Sequence, residues 1–138
     1  YTIPLGVAEV KREGTDVTIV SFGKIIKEAY AAAESLEKEG ISCEIIDLRT
    51  VRPMDHETIL KSVRKTNRLV ILEEAWPFGN VATEIIYQVQ DKAFDYLDAP
   101  IVKINTADTP APYSPVLLQE WLPNSEDVIR GVKKVLYK

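Results

Sequence analysis

Four short apolar runs that alternate with segments of helical periodicity constrain the fold of this 138-residue chain more than any other feature. The runs occupy residues 17–22, 42–48, 68–74 and 100–104. They are rich in valine, isoleucine and leucine, which is typical of strands buried on both faces. Strands separated by helices lie parallel and are joined by right-handed crossovers. We therefore predict one domain, residues 1–138, with a three-layer α/β/α fold around a mostly parallel sheet of about five strands.

The helical segments are recognised by apolar residues spaced three and four apart. The first ends at Gly40, a residue suited to the left-handed conformation that closes many helices. Asp55 caps a short second helix, and a third covers residues 81–89. The last helix begins near Ser125. Residues 105–124 contain four prolines and are predicted to form a long loop.

A further strand precedes the first run. The sequence VAEVKREGTDVTIVSFG is typical of two strands around a turn, with Gly14, Thr15 and Asp16 supplying the turn. We therefore expect the first strand to pair antiparallel with the second through this turn and to form one edge of the sheet.

Composition narrows the class of protein and its partners. Hydrophobic residues make up 46% and charged residues 28% of the chain, which is typical of a globular domain. The formal net charge of −4 disfavours nucleic acid and anionic membranes as partners. No apolar run is long enough to span a bilayer, and none resembles a signal peptide. Cys43, the single cysteine, lies in an apolar run, which predicts a buried thiol and a reducing compartment such as the cytoplasm.

In folds of this kind, ligands bind beyond the carboxyl ends of the parallel strands. The residues there are Ser21, Gly23, Asp47, Arg49, Glu73, Glu74, Asn105 and Thr106. Gly23 is the single glycine after the first run, so neither the dinucleotide fingerprint nor the P-loop is present. Glu73 and Glu74 are adjacent and point to opposite faces of a strand. We therefore expect one solvated and one loop-facing carboxylate rather than a metal site.

Nucleophilic and acid–base chemistry also lacks candidates. The chain has no G-x-S-x-G motif, and Cys43 lies within a strand rather than on an exposed turn. His56 follows the cap residue Asp55, and we expect it to be exposed in the first turn of the helix. The sequence therefore predicts no catalytic residue, no cofactor-binding residue and no metal ligand in this chain.

Three loops at the strand ends are candidates for binding other proteins. In RTVRPMD, Pro53 ends a strand, while the two arginines can bind carboxylate or phosphate or can join the loop to a neighbouring domain, which we favour. The loops EEAWPFGN and TADTPAPYSP are apolar and stiffened by proline, which is typical of docking surfaces. The predicted interface residues are Arg49, Arg52, Trp76, Phe78 and Tyr113.

Four segments together resemble a known family. IPLGVAEVKREGTDVTIVSFG, SCEIIDLRTVRPMD, KTNRLVILEEAWPFGNVATEI and LDAPIVKINTADTPAPYS are similar to the C-terminal, transketolase-type domain of the beta subunit of 2-oxo acid dehydrogenases. LRTVRPMD and AWPFG resemble the pyruvate dehydrogenase branch more than the branched-chain one. The resemblance implies a fragment of a longer beta subunit that lacks its N-terminal pyrimidine-binding domain, and the missing initiator Met before Tyr1 agrees with this.

The resemblance implies an enzyme that uses thiamine diphosphate and magnesium. It decarboxylates pyruvate oxidatively and transfers the acetyl group to a lipoyl group on the acyltransferase core. In the family, the cofactor lies between the alpha subunit and the pyrimidine-binding domain, so both groups would be bound outside this domain. The chain alone would then be inactive. Its location would be the bacterial cytoplasm or, in a eukaryote, the mitochondrial matrix.

The resemblance assigns this domain to assembly and docking. The implied partners are the alpha subunit, a second beta subunit and the peripheral subunit-binding domain of the dihydrolipoyl acyltransferase. In the family, that last domain contacts an aspartate matching Asp98 and the C-terminal carboxylate, here on Lys138. Such binding domains are basic, which suits an acidic partner. Lys138 departs from the apolar residue that can end the chain in the family, and Asp98 can equally be a turn residue before Pro100.

Other interpretations stay open. The same domain type occurs in branched-chain 2-oxo acid dehydrogenases, transketolase and deoxyxylulose-phosphate synthase. The fold class, together with Gly23 and Arg49 at the strand ends, is also compatible with a stand-alone module that binds a small ligand or a nucleotide.

Overall fold

The strands of the computed structural model, which describes residues 4–138, form one sheet. They are β1 (Glu9–Arg12), β2 (Val17–Ser21), β3 (Cys43–Asp47), β4 (Leu69–Leu72) and β5 (Val102–Ile104). Their order across the sheet is β1-β3-β2-β4-β5. The pairs β3–β2, β2–β4 and β4–β5 are parallel. Strand β1 lies at one edge of the sheet and pairs antiparallel with β3. The prediction of a mostly parallel sheet with one antiparallel edge strand is confirmed.

Helices cover both faces of this sheet. They are α1 (Ile26–Glu37), α2 (His56–Thr66), α3 (Val81–Ala93), α4 (Pro115–Trp121) and α5 (Ser125–Val135). Helices α1 and α5 pack on one face and α2 and α3 on the other. As predicted, Gly40 closes α1: its φ is +81°, and its N–H donates to the Glu37 carbonyl at 3.0 Å. Within residues 4–138, no helix has both the length and the apolar character needed to cross a membrane.

The predicted hairpin between β1 and β2 is wrong, because β3 lies between them. Strand β1 pairs with β3, with Glu9 opposite Asp47, and the chain then crosses the start of β3 before it enters β2. Gly14 lies at this crossing. A Cβ atom there would come within 2.2 Å of the Cys43 carbonyl carbon, so only glycine allows the approach. Residues 14–16 therefore form a crossover rather than a hairpin turn.

Residues 105–124 contain a helix, α4, where the sequence predicted a loop throughout. Ser114 is its N-cap residue and Pro115 its first helical residue, a position at which proline is favoured. None of the α4 residues is buried. The prolines that predicted a loop thus mark a helix start, and a helix without a buried face has no apolar periodicity that would reveal it.

Two apolar layers, one on each face of the sheet, form the core. Ile19 and Ile45 pack with α1 and α5, whereas Val20 and Ile46 pack with α2 and α3. Successive residues of a strand point to opposite faces, and all four of these side chains are fully buried. Each contributes about 1.5 to 3 kcal/mol to folding. Burial on both faces is the reason that the strands are continuous apolar runs in the sequence.

A buried polar network, which the sequence did not reveal, joins α2 to the amino-terminal ends of β2 and β3. The Glu44 carboxylate is 3% exposed and accepts hydrogen bonds from Gly14 N at 3.2 Å, Ser62 Oγ at 2.6 Å and Lys65 Nζ. The Thr18 hydroxyl bonds the Ser62 hydroxyl at 2.6 Å. These partners offset the desolvation of the carboxylate and fix α2 on the sheet.

Candidate functional site

The loops that follow β4 and β5 present aromatic side chains at the carboxyl edge of the sheet. Phe78 is 88% exposed, Trp76 is 50% exposed and Tyr113 is fully exposed. The indole Nε1 atoms of Trp76 and Trp121 both donate to the Thr109 carbonyl oxygen, at 2.9 and 2.8 Å. The two loops are therefore joined at Thr109.

Helix α4 adds exposed apolar side chains, because Val116 is 70% and Leu117 52% exposed. We call the exposed set the aromatic edge; it consists of Trp76, Phe78, Tyr113, Val116 and Leu117. A single exposed apolar residue is ordinary, but several on adjoining loops are characteristic of a protein-binding surface. Trp76, Phe78 and Tyr113, three of the residues predicted to form an interface, are thus exposed on these two loops.

Glu73 lies beneath the aromatic edge and is fully buried. The sequence predicted that one carboxylate of the Glu73–Glu74 pair is solvated and that the other faces a loop, but it did not predict full burial. Its Oε1 accepts a hydrogen bond from Asn105 Nδ2 at 2.8 Å, and its Oε2 accepts one from Ala82 N at 3.2 Å. Burial raises the pKa of this carboxyl group, and the two hydrogen bonds and the charge of Lys103 lower it only in part. Its partners are distant in sequence, so no local pattern reveals the site. The adjacent Glu74 is exposed.

The two arginines after β3 have different surroundings. Arg49 pairs with Glu9 of β1, its side chain is 18% exposed, and its φ is +62°. Arg52 is exposed. It borders a cleft of about 850 Å³ that is lined also by Val51, Met54, His56 and Val81. Arg49 therefore already binds a carboxylate of its own domain, whereas Arg52 is exposed beside the cleft.

His56 is half-buried in this cleft rather than exposed as predicted. Its Nε2 is inaccessible to solvent and has no hydrogen-bond partner among the described residues. Asp55 caps α2 as predicted, since it accepts hydrogen bonds from Thr58 N at 3.1 Å and from Ala8 N at 2.9 Å.

Asp98 and the end of the chain lie together at the opposite edge of the sheet, beside the start of β4. The Asp98 side chain is 56% exposed, and its carboxylate is 3.8 Å from the Arg68 guanidinium. The Tyr137 hydroxyl donates to the Asp98 carbonyl oxygen at 3.4 Å, and the exposed Lys138 follows it. The structure therefore brings Asp98 close to the residue next to Lys138, and both are far from the aromatic edge along the strands.

The Cys43 thiol and groups of metal-ligating side chains are two kinds of candidate reactive site among residues 4–138. Burial raises the pKa of the Cys43 thiol to about 11, so this thiol is not ionised at neutral pH. Among residues 4–138, no three side chains of His, Cys, Asp or Glu are grouped so that they could hold a metal ion.

Solved structures share this fold. A structure described as "Split gene transketolase, inactive beta4 tetramer" is similar with a TM-score of 0.86 and 29% identity, over 99% of this chain and 43% of that one. A 2-oxoglutarate:ferredoxin oxidoreductase from Magnetococcus marinus is similar with a TM-score of 0.61 and 14% identity, over 94% of this chain and 19% of that one. The second likeness concerns the fold alone.

Curated relatives carry the name pyruvate dehydrogenase E1 component subunit beta. The mitochondrial beta-1 subunit of Oryza sativa is 48% identical over 138 residues, which is 100% of this chain and 37% of the relative. The subunit of Rickettsia felis is 50% identical over 135 residues, which is 98% of this chain and 41% of the relative. The chain thus spans about two fifths of the length of these relatives. Residues 6–128 match the family model "Transketolase, C-terminal domain", and the chain belongs to this transketolase C-terminal domain family.

Proposed function

We propose that this chain is the assembly and docking domain of the beta subunit of a thiamine-diphosphate-dependent pyruvate dehydrogenase component. The observation that carries the proposal is the aromatic edge, a group of exposed apolar side chains on loops that the domain itself holds together by hydrogen bonds. Similarity to pyruvate dehydrogenase beta subunits along the whole chain supports the choice of enzyme.

The intact enzyme of this proposal decarboxylates pyruvate and transfers the acetyl group to a lipoyl group on the acyltransferase core. Thiamine diphosphate and magnesium are then bound outside this domain. The isolated chain is expected to be inactive. Calorimetric titration with thiamine diphosphate and magnesium is expected to show no binding, and tight binding would contradict this part of the proposal.

The aromatic edge is the proposed contact with the second beta subunit and the alpha subunit. Large aromatic side chains near the centre of an interface supply much of its binding energy, because they remove a large apolar area from water. Phe78 is 88% exposed and is the best placed to act in this way. Arg52 lies open in the neighbouring cleft and can pair with a carboxylate of the partner.

Sedimentation velocity of the chain at graded concentrations tests the assembly role. The wild-type chain is expected to self-associate, and Phe78→Ala is expected to weaken this association by about 30-fold, the equivalent of about 2 kcal/mol. Phe94→Ala is the matched control, since Phe94 is 64% exposed but does not belong to the aromatic edge. A wild-type chain that stays monomeric, or equal effects of the two substitutions, would contradict the assembly role.

Asp98 and the C-terminal carboxylate of Lys138 are proposed to receive the basic peripheral subunit-binding domain of the dihydrolipoyl acyltransferase. The Asp98 side chain is 56% exposed, and its 3.8 Å separation from Arg68 is too long for a hydrogen bond. An incoming arginine or lysine can therefore compete with Arg68 for this carboxylate. The net charge of −4 favours the approach of a basic partner.

Isothermal titration of the chain with a peripheral subunit-binding domain tests the docking role. Asp98→Asn is expected to weaken binding by about tenfold and to reduce its dependence on salt. Asp91→Asn is the control, because Asp91 is an exposed aspartate on α3. Docking at Asp98 is refuted if the wild-type chain does not bind or if both substitutions leave the affinity unchanged.

Two alternatives have distinct tests. The cleft of about 850 Å³ beside Arg52 supports a stand-alone module that binds a small anionic ligand, and a thermal-shift screen with nucleotides and phosphates would reveal it as a raised melting temperature. Within the family, the domain can instead come from a branched-chain 2-oxo acid dehydrogenase, a transketolase or a deoxyxylulose-phosphate synthase. Assays of the whole enzyme with pyruvate and with branched 2-oxo acids separate these. The proposed location is the bacterial cytoplasm or the mitochondrial matrix.

A further inference from the structure

The loop that carries Trp76 and Phe78, residues 74–80, is short and exposed, yet its backbone is tied to the chain that follows β5. Glu73 N donates to the Ile104 carbonyl at 3.1 Å, and Thr106 N donates to the Ala75 carbonyl at 3.0 Å. These bonds continue the pairing of β4 and β5 beyond the strands. The start of the loop is therefore fixed to the sheet.

The Glu73 carboxylate joins the two ends of this loop. It precedes the loop in sequence, accepts a hydrogen bond from Ala82 N just after the loop, and accepts a second from Asn105 Nδ2 beyond β5. Because the side chain is fully buried, both bonds are shielded from competing water. One side chain thus connects the beginning of the loop, the first turn of α3 and the chain after β5.

Lys103 acts on the middle of the same loop. Its Nζ donates to the Pro77 carbonyl oxygen, which belongs to the peptide bond that leads into Phe78. Asn80 Nδ2 donates to the Trp76 carbonyl oxygen, which closes the loop on itself. The charge of Lys103 also stabilises the ionised form of Glu73. The loop that presents Phe78 is therefore held at its base and at its middle by polar side chains.

An apolar side chain would be a less costly occupant of the Glu73 position if filling space were its whole role. Burying a carboxylate carries a large desolvation penalty, and a leucine would avoid it. A leucine would, however, leave the Ala82 amide and the Asn105 side-chain amide without an acceptor. A loop fixed in advance loses less conformational entropy when it binds, so a rigid loop raises the affinity of the residue that it presents.

We infer that Glu73 and Lys103 form a polar clamp that positions the 74–80 loop and holds Phe78 ready for binding, so that both are positioning residues of the assembly surface. This inference rests on the proposed assembly role of the aromatic edge. It adds that affinity depends on two side chains which lie beneath the surface and need not touch the partner.

The test compares four variants by sedimentation velocity and by amide hydrogen exchange of residues 74–80. Glu73→Leu and Lys103→Met are each expected to weaken self-association by about tenfold and to speed amide exchange in the loop. Glu73→Gln is expected to stay within about threefold of wild type, because the Asn105 amide can rotate and accept from the new side-chain amide. Phe78→Ala reports whether the aromatic edge binds at all.

A stability control distinguishes a role of the clamp in positioning the loop from a role in the stability of the fold alone. Ile46→Val lowers stability through the core, and it is expected to lower the melting temperature without changing association well below that temperature. If Glu73→Leu does not fold, Lys103→Met carries the comparison, since Lys103 is only part-buried.

The outcomes distinguish the two ideas. If Phe78→Ala weakens association but the folded clamp variants match wild type in both measurements, the clamp is refuted and the assembly role stands. If Phe78→Ala has no effect, the assembly role fails. The exchange of residues 74–80 then still decides whether Glu73 and Lys103 hold the loop, because unchanged exchange in both variants would overturn the clamp as well.

Discussion

Gly14 lies where the chain passes from one side of β3 to the other, and it shows how closely a single residue can be constrained. The nearest atoms to a Cβ placed there are backbone atoms of Cys43 and Glu44, which cannot rotate away. Gly14 N also donates to the buried Glu44 carboxylate at 3.2 Å. The absence of a side chain at this position therefore permits both the crossover and the polar network beneath α2.

Replacing Gly14 with alanine is expected to lower the free energy of unfolding by more than about 3 kcal/mol, because the added carbon forces the backbone of β3 to move. Gly79→Ala is the control. Its φ of +62° disfavours alanine, but no atom lies within 4 Å of the added carbon, so the expected loss is about 1 to 2 kcal/mol. Urea unfolding followed by circular dichroism measures both, and equal losses would refute the steric explanation.

Asp55 links stability to pH. Partial burial raises the pKa of this carboxyl, but hydrogen bonds from the Thr58 side chain and from the Ala8 and Thr58 amides outweigh burial and lower it below the ordinary value of 3.8. The stabilisation by Asp55 is therefore fully present above pH 3.8 and is lost as the pH falls through the folded-state pKa.

Asp55→Asn is expected to cost about 1 to 2 kcal/mol at neutral pH, because one amide oxygen cannot replace two carboxylate oxygens. The difference between wild type and variant is expected to shrink as the pH falls below 3.8. Urea unfolding across a pH series measures it, with Asp91→Asn as the exposed control. A difference that stays constant down to low pH would contradict the lowered pKa.

At the scale of elements, α5 and α4 show two ways in which a helix is stabilised. Helix α5 buries Val128, Val132 and Val135 and begins with a full capping box between Asn124 and Asp127. Helix α4 buries none of its residues, and its N-cap Ser114 makes no side-chain capping bond. Helix α5 is therefore specified by its own sequence, whereas α4 is held by the loops around it.

Asn124→Ala is therefore expected to destabilise the domain by about 1 kcal/mol, or about 3 °C in melting temperature, because the Asp127 N–H loses its acceptor. Ser114→Ala is the matched control, and its effect is expected to stay within about 0.5 kcal/mol. Thermal unfolding followed by circular dichroism measures both. A larger effect at Ser114 than at Asn124 would show that the cap does not stabilise α5.

At the scale of the whole molecule, one sheet serves two cores and keeps two candidate surfaces apart. The aromatic edge lies at the carboxyl ends of the strands, and Asp98 lies beside the start of β4. The separation agrees with the proposal that one surface serves assembly and the other serves docking.

Because β2 and β3 contribute to both cores, loss of packing on one face is expected to weaken the other. Ile45→Ala and Ile46→Ala empty opposite cores, and each is expected to cost about 2 to 5 kcal/mol while unfolding stays a single transition. Coincident urea transitions by circular dichroism and tryptophan fluorescence check this. Two separated transitions in either variant would show that the layers fold independently.

Sequence pattern predicted the features that depend on residues close to one another in the chain. The caps at Asp55 and Gly40, the buried thiol of Cys43 and the four parallel strands all follow from spacing, residue type and burial on two faces. The exposure of Trp76, Phe78 and Tyr113 was also predicted from the sequence, because these residues lie in loops that directly follow the strands. Their role in binding stays a prediction.

The sequence by itself determined the parallel α/β/α class, the starts of α2, α3 and α5 and, through its resemblance, the transketolase C-terminal family. Only the tertiary structure decided that β1 pairs with β3 instead of β2, that α4 interrupts the proline-rich loop, and that Glu73 and Glu44 are buried among donors. The physical reason is range. Periodicity and capping act within a few residues, whereas strand order and the partners of a buried carboxylate depend on groups that only the folded sheet brings together.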